Sequence, residues 1–505
     1  MELTGGKTFL TILVLRKVIR RILAHDEQNV GVLMPTSVYG VLANLALALD
    51  CRTVVNLNYT FPGDTFNYCI KHASIKHVVT SRKVLDRFPN LTIDAELIVM
   101  EDLQDKITWL DKLTSFIDAY ITPIICLEWV FGITKIVPDD LLTIIYTSGS
   151  TGTPKGAMIT HRNIAENVKA FVQHLNLEES DVLLGVLPLF HSFGYTTLFW
   201  LPAMTGMKGV YHFSPLEPKK IAEMSRKHQC TAMPCTATFL RTYLKHSQRE
   251  DFGHLHSIVC GAEKLPRDII DAWDEKFGIR PAEGYGTTEL SPVVSANVPK
   301  GRRDDYQDWL REGTIGRLLA NVQARIVHLD TGKVLPIETP GMLQIKGPSV
   351  MKGYYKDPEK TEEVLKDGWY TTGDVAKIDA DGFIRIVGRE SRISKIGGEM
   401  VPHILIEDEI TKIISSRLSG ESGGELLAAV SSVSDERRGE RLIVLYRNLP
   451  MPAEEICKLL QQAGVTNLWI PSPKDFFQVE AIPILGTGKL DLRAVKQLAE
   501  KVANP

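Results

Sequence analysis

The chain has no CxxC pair, no uninterrupted run of roughly 20 apolar residues, no internal repeat and no low-complexity tract. Its seven cysteines (Cys51, Cys69, Cys126, Cys230, Cys235, Cys260, Cys457) are odd in number and sit mostly among apolar neighbours. No disulfide framework and no zinc site is therefore expected, and reduced thiols in a cytoplasm fit. Excess charge is lacking too: 58 Lys plus Arg stand against 61 Asp plus Glu, which offers no long-range attraction to nucleic acid. Two stretches approach a membrane signal and fall short of one. Residues 9–24 carry Arg16, Lys17, Arg20 and Arg21, while Leu15, Val18, Ile19, Ile22 and Leu23 recur at helical spacing. That spacing predicts a domain-surface helix with one apolar stripe, not a signal peptide. Residues 120–133 are apolar but contain Pro123 and Glu128 and are too short to cross a bilayer. They read as a buried or surface-packed helix, with peripheral contact to the inner face of a membrane as the most they allow.

With 44% hydrophobic and 24% charged residues the chain has the balance of a folded globular protein, and its 505 residues exceed what one core organises. Short β-branched runs at 29–34, 52–56, 77–80 and 97–100 alternate with helical stretches. The rhythm returns at 182–187, 208–212, 230–233 and 257–260, with a helix expected over 218–228. Such alternation predicts βαβ units, so the expected fold class is α/β, with a large N-terminal domain of two stacked α/β sheet layers. After Gly313 short strands at 323–328, 342–346, 376–378 and 383–387 suggest a small β-rich subdomain over about 313–388. The large domain would then run over 1–388, and a small α+β domain over 389–505. The charged stretch 300–312 reads as a solvated loop.

The strongest chemical signal is Tyr146-Thr147-Ser148-Gly149-Ser150-Thr151-Gly152-Thr153-Pro154-Lys155-Gly156, which follows the apolar run 141–145. Glycines and hydroxyls after a buried strand let backbone N–H groups and side chains wrap phosphate oxygens, and Lys155 adds a positive charge. A Walker A loop started at Gly149 would need glycine at 154 and Ser or Thr at 156, where this chain has Pro154 and Gly156. The P-loop NTPase reading is thereby weakened.

This loop resembles the signature of the adenylate-forming superfamily, which holds acyl-CoA synthetases, luciferases and peptide-synthetase adenylation domains. Further motifs similar to that family follow in order: Pro188-Leu189-Phe190-His191-Ser192-Phe193-Gly194, Gly261-Ala262-Glu263, Gly284-Tyr285-Gly286-Thr287-Thr288-Glu289, Gly368-Trp369-Tyr370-Thr371-Thr372-Gly373-Asp374, Gly388-Arg389 and Pro483-Ile484-Leu485-Gly486-Thr487-Gly488-Lys489-Leu490-Asp491. The resemblance implies that Thr147, Ser148, Gly149, Ser150, Thr151, Gly152 and Lys155 cradle the phosphates of ATP. It implies that Gly261, Ala262 and Glu263 with Gly284, Tyr285, Gly286 and Thr287 enclose adenine, and that Asp374 and Arg389 hold the ribose. His191 would line the carboxylate pocket, Thr288 reach the α-phosphate, Glu289 hold Mg²⁺ and Lys489 carry the adenylation step. Taken alone, His191 reads as a core histidine, Asp374 as a turn aspartate, Arg389 as a surface ion pair and Lys489 as a solvated lysine.

The implied activity is ATP-dependent: fatty acid and ATP give acyl-AMP and pyrophosphate. A phosphopantetheine thiol, of coenzyme A or of acyl carrier protein, then displaces AMP. The strings Val55-Asn56-Leu57-Asn58-Tyr59-Thr60, Gly261-Ala262-Glu263-Lys264-Leu265-Pro266, Ser291-Pro292-Val293-Val294-Ser295 and 395–403 resemble the acyl-ACP synthetase part of bifunctional lysophospholipid acyltransferase and acyl-ACP synthetases. The family alternates two orientations of a mobile C-terminal domain. At its usual Asp or Lys hinge position this chain has Ser391, and 395–399 would face the thiol tunnel in the second orientation. The beginning is short for that family, so a truncated start or a separate chain is expected to account for the missing part. The rival readings are a phospholipid acyltransferase, whose His-x4-Asp spacing occurs at His246 to Asp251 and His403 to Asp408, and a non-catalytic binder of acyl groups or nucleotide.

Overall fold

The structure is a computed structural model and describes residues 2–147, 153–389, 392–396, 399–415, 417, 428–435, 439–484 and 490–503. The chain forms two compact units, Met1–Ala324 with Gln344–Thr371 and Asp381–Ile384, and Arg325–Leu343 with Thr372–Ala380 and Arg385–Pro505. Its class is α/β, as the alternation of runs predicts.

The first unit contains two seven-stranded sheets. One runs, in spatial order, Gly353–Tyr354, Lys155–Thr160, Leu141–Thr147, Thr53–Asn56, Asn29–Leu33, His77–Thr80, Glu96–Val99. Its last five strands are parallel, and Lys155–Thr160 pairs antiparallel with both of its neighbours. The second runs Arg317–Leu318, Val293–Ala296, Ala282–Gly286, Ser257–Cys260, Ala232–Cys235, Val182–Gly185, Lys208–Tyr211. It is parallel from Ala282–Gly286 onward and turns antiparallel at Val293–Ala296. The strands Asn29–Leu33, Thr53–Asn56, His77–Thr80, Ala232–Cys235 and Ser257–Cys260 are almost wholly buried, which is why several of them read as continuous apolar runs. The helix over Pro218–His228 has the expected bounds.

Two expectations need correction. Residues 300–312 are not wholly solvated: Arg302 is buried and forms a bidentate pair with buried Asp181 at 2.7 and 2.9 Å, so one cation of the stretch is anchored inside. The 230–233 strand is Ala232–Cys235 and contains Pro234, a residue whose missing N–H argues against a central strand. Residues 120–133 contain the expected surface-packed helix, Ile124–Phe131, seated through Leu127 and Phe131, while Ile124, Ile125 and Trp129 are more than 70% exposed. The first helix, Gly5–Ile22, does bury Leu15, Val18 and Ile19.

In the second unit a five-stranded sheet runs Glu399–Pro402, Ile393–Ile396, Gly439–Tyr446, Ala428–Asp435, with Phe476–Gln478 beside Gly439–Tyr446. The helices His403–Ser415 and Leu492–Ala503 pack on Ala428–Asp435, and Ala453–Gln462 packs on the former. Another five-stranded sheet is built from Gln323–Val327, Gly341–Lys346, Trp369–Ile378, Leu365–Lys366 and Ile384–Arg389. Neither His-x4-Asp pair makes an acyltransferase base. His403 is buried against Ser394 Oγ at 2.8 Å, and burial pushes its pKa down to about 3. Asp408 lies five residues further along the same helix, about 140° round it. Asp251 is committed to the backbone N–H of Gln248 and to Arg226.

Candidate active site

Three of the sequence motifs emerge where strands of the second sheet end. Val182–Gly185, Ser257–Cys260 and Ala282–Gly286 are parallel, so the segments that follow or close them (188–194, 261–263 and 284–289) leave from one edge of the sheet. That edge, at the carboxyl ends of strands and beside the reversal at Val293–Ala296, is where open α/β sheets bind ligands.

Close approaches hold the motifs in shape. A Cβ on Gly194 would lie 2.2 Å from Pro188 O, and one on Gly286 would lie 1.8 Å from Pro292 O. Only glycine fits at either place, so 188–194 folds back on itself and 284–289 turns tightly against the next strand. The two turns then meet: the Ser192 and Thr288 hydroxyls are 3.1 Å apart, and Thr196 Oγ1 donates to Ser291 O at 2.9 Å. His191 is exposed, its ring 4.6 Å from that of Phe190, so it is not the core histidine that its apolar neighbours suggest.

Glu289 is fixed from a distance in sequence. Gly353–Tyr354 pairs antiparallel with Lys155–Thr160, placing Tyr354 opposite Ala157, and Met351 N donates to Glu289 O at 2.8 Å. The Tyr354 hydroxyl then donates to Glu289 Oε1 at 2.8 Å, while Lys155 Nζ sits 5.3 Å from the centre of the Tyr354 ring. Burial, and after it the Glu289 charge, push the Tyr354 phenol well above its ordinary value, so at neutral pH it remains a donor. Sequence reading missed Tyr354, because nothing local ties it to a carboxylate 65 positions earlier. Thr147 and Lys155 are cross-strand partners that pin both ends of the hydroxyl-rich loop; Ser148, Gly149, Ser150, Thr151 and Gly152 lie outside the described residues.

Glu263 has a different local task. Its two oxygens accept from Thr238 N at 2.7 Å and Thr238 Oγ1 at 2.9 Å, at the start of the helix Ala237–His246. This carboxylate therefore holds the 261–263 turn, in which Ala262 takes a φ of +69°. Tyr285, in the middle of the third motif, is half-buried on Ala282–Gly286.

In the second unit Asp374 lies inside the strand Trp369–Ile378 rather than in a turn. It is buried and accepts from Arg389 Nε at 2.7 Å, and its own N–H donates to Thr372 Oγ1 at 3.0 Å. The two residues assigned to ribose are thus a pair. Lys489 and Ser391 lie outside the described residues, as does the side chain of Lys395. The ends of the Lys489 loop are described: Ile484 and Leu490 bridge antiparallel, and Asp491 N donates to Pro483 O at 3.0 Å.

A carboxylate steadied by a neutral phenol keeps acceptor positions for a hard divalent cation, so the donor set around Glu289 fits magnesium.

The family described as AMP-binding enzyme matches residues 15–355. A long-chain-fatty-acid–CoA ligase of Salmonella typhimurium is 31% identical over 376 residues, 73% of this chain and 64% of the relative, so the match spans just under two thirds of that protein. The 4-coumarate–CoA ligase 1 of Arabidopsis thaliana is 27% identical over 95% of this chain and 84% of its own length. Among solved structures, ATP-bound MatB from Rhodopseudomonas palustris covers 98% of this chain with 93% of its own, at a TM-score of 0.79 and 24% identity, a likeness of fold. From a family match over two thirds of its length, the motif order and the edge of the sheet where those motifs meet, the chain belongs to the AMP-binding enzymes, the adenylate-forming superfamily.

Proposed function

We propose that this chain is an AMP-forming acid–thiol ligase that activates a fatty acid with ATP and passes the acyl group to a phosphopantetheine thiol. The observation that carries the reading is the contact of Ser192 with Thr288. It brings the turn assigned to the organic acid within hydrogen-bond distance of the turn assigned to the α-phosphate, next to the Glu289, Tyr354 and Lys155 group. The relatives' printed names support a long-chain fatty acid as substrate and coenzyme A as the first acceptor to assay, beside holo acyl carrier protein.

In the first step a carboxylate oxygen bonds to the α-phosphorus, and the bond from that phosphorus to the departing pyrophosphate breaks. Tyr285 stacks on adenine, Asp374 accepts from the ribose hydroxyls with Arg389 bracing it, and the 147–152 loop with Lys155 holds the phosphates. Gly261, Ala262, Gly284, Gly286 and Thr287 give the backbone walls of the purine slot, with Glu263 holding the first of its turns. Thr288 donates to the α-phosphate, and Lys489 stabilises the negative charge that grows on its oxygens in the transition state. Bound at Glu289, magnesium supplies charge neutralisation to the phosphates. In the second step the thiol sulfur bonds to the acyl carbon, the bond from that carbon to AMP breaks, and the thiol proton leaves to solvent. His191 lines the acid pocket in both. The C-terminal domain, 389–505, carries Lys489 into the first step and turns about Ser391 for the second.

Incubation with oleate, ATP, magnesium and hydroxylamine is expected to yield oleoyl hydroxamate and pyrophosphate in equal amounts. Neither product would indicate an acyltransferase or a non-catalytic binder.

A further inference from the structure

The helix Trp109–Tyr120 is mounted with its polar face inward. Its six large apolar residues Trp109, Leu110, Leu113, Phe116, Ile117 and Tyr120 fall within an arc of roughly 120°, and all are exposed. The opposite face carries Asp111, Thr114, Ser115 and Asp118 and packs on the first helix, Gly5–Ile22. Arg21 grips Asp111 through two bonds of 2.8 and 2.9 Å, and Lys17 reaches both Thr114 and Asp118 at 2.8 Å. Asp111 also closes a capping box with Thr108. An amphipathic helix on a globular core normally does the reverse. Here specific ion pairs hold the apolar stripe out toward solvent, so its exposure is built in. The next helix, Ile124–Phe131, continues the surface: Ile121, Ile124, Ile125, Trp129 and Val130 are exposed, with only Leu127 and Phe131 seated.

The exposed charges within this surface are basic. Between residues 106 and 137 the exposed charges are Lys106, Lys112 and Lys135, Asp111 is buried and Asp118 and Glu128 are half-buried, and the exposed acids Asp105, Asp139 and Asp140 lie beyond the two ends of that stretch. Where Ile124–Phe131 ends, Phe131, Gly132 and Lys135 enter the wall of a cavity of about 580 Å³, which Arg16, Arg20 and Arg52 also line, against the acids Asp50 and Asp140. The helices have 12 and 8 residues, too short to cross a bilayer at roughly 20, and long enough to lie in its interface.

We propose that the helices Trp109–Tyr120 and Ile124–Phe131 dock this chain on a bilayer surface that carries anionic lipid, with the apolar stripe entering the headgroup boundary. Trp109, Tyr120 and Trp129 provide the rings that favour that boundary, and the lysines meet the negative headgroups. A second copy of the chain suits the surface less well, because an isologous contact would set lysines against lysines. The inference stands apart from the ligase chemistry and needs neither nucleotide nor acid.

Flotation of the full chain with lipid vesicles tests it. The chain is expected to float with phosphatidylcholine vesicles containing phosphatidylglycerol and far less with phosphatidylcholine alone. Ile125→Ser/Trp129→Ser, at residues 78% and 77% exposed, should melt as the wild type does and partition about tenfold less or worse. Lys112→Glu/Lys135→Glu should lose about tenfold on the anionic vesicles and nothing on the neutral ones. Three results would overturn the proposal: no flotation on anionic vesicles, flotation of the Ile125→Ser/Trp129→Ser variant at the wild-type level, or a stable dimer in sedimentation equilibrium that the same variant dissociates.

Discussion

Lys489→Ala is expected to lower acyl-AMP formation by about 10²- to 10³-fold while leaving thioester formation from supplied acyl-AMP within a few-fold of wild type. The asymmetry follows from where charge develops. In adenylation the incoming carboxylate and the departing pyrophosphate crowd negative charge around the α-phosphate, and one positioned cation is worth more there than in the ground state. In the thiol step charge grows on the acyl oxygen and the departing AMP, but by then the 389–505 domain has turned Lys489 away from it. Separate single-turnover assays of the two half-reactions decide it: an equal loss in both would remove Lys489 from its assigned step and, with it, the argument for two orientations of the 389–505 domain.

Glu289→Gln should cost about 10²-fold in adenylation and raise the magnesium concentration needed for half-maximal rate. Glutamine preserves size and can still accept from Tyr354 Oη, now 2.8 Å from Glu289 Oε1, so the loss isolates the charge. Tyr354→Phe keeps the charge and removes the bond that orients it, a change that costs about 10- to 100-fold in metal affinity with less effect at saturating magnesium. Magnesium titrations of the two variants, with calcium as a second cation, separate a lost ligand from a misplaced one. If both titrate as wild type, Glu289 does not hold the metal.

Much of this was legible in the sequence, for identifiable reasons. The buried parallel strands were found to within a residue or two at Asn29–Leu33, His77–Thr80 and Ser257–Cys260, because strands covered on both faces are written as apolar runs between turn residues. Pro234 stopped the Ala232–Cys235 strand short, since sequence rules cannot show that its neighbours tolerate the missing donor. The motifs identify Glu289 and Asp374, but not what steadies them. Tyr354 reaches Glu289 only because the chain returns to pair Gly353–Tyr354 with Lys155–Thr160, and Asp374 meets Arg389 across a hairpin. Trp109–Tyr120 went unread for another reason: helical periodicity reports that a helix has two faces, not which one points outward. Here Arg21 and Lys17, about 90 residues upstream, make that choice.

The claim on which the account turns is that a carboxylate oxygen displaces pyrophosphate from the α-phosphorus. Oleate labelled with heavy oxygen in both carboxylate positions, consumed with ATP and coenzyme A, should deliver one labelled oxygen to each AMP and none to pyrophosphate. Unlabelled AMP, or label in inorganic phosphate released alongside ADP, would contradict it.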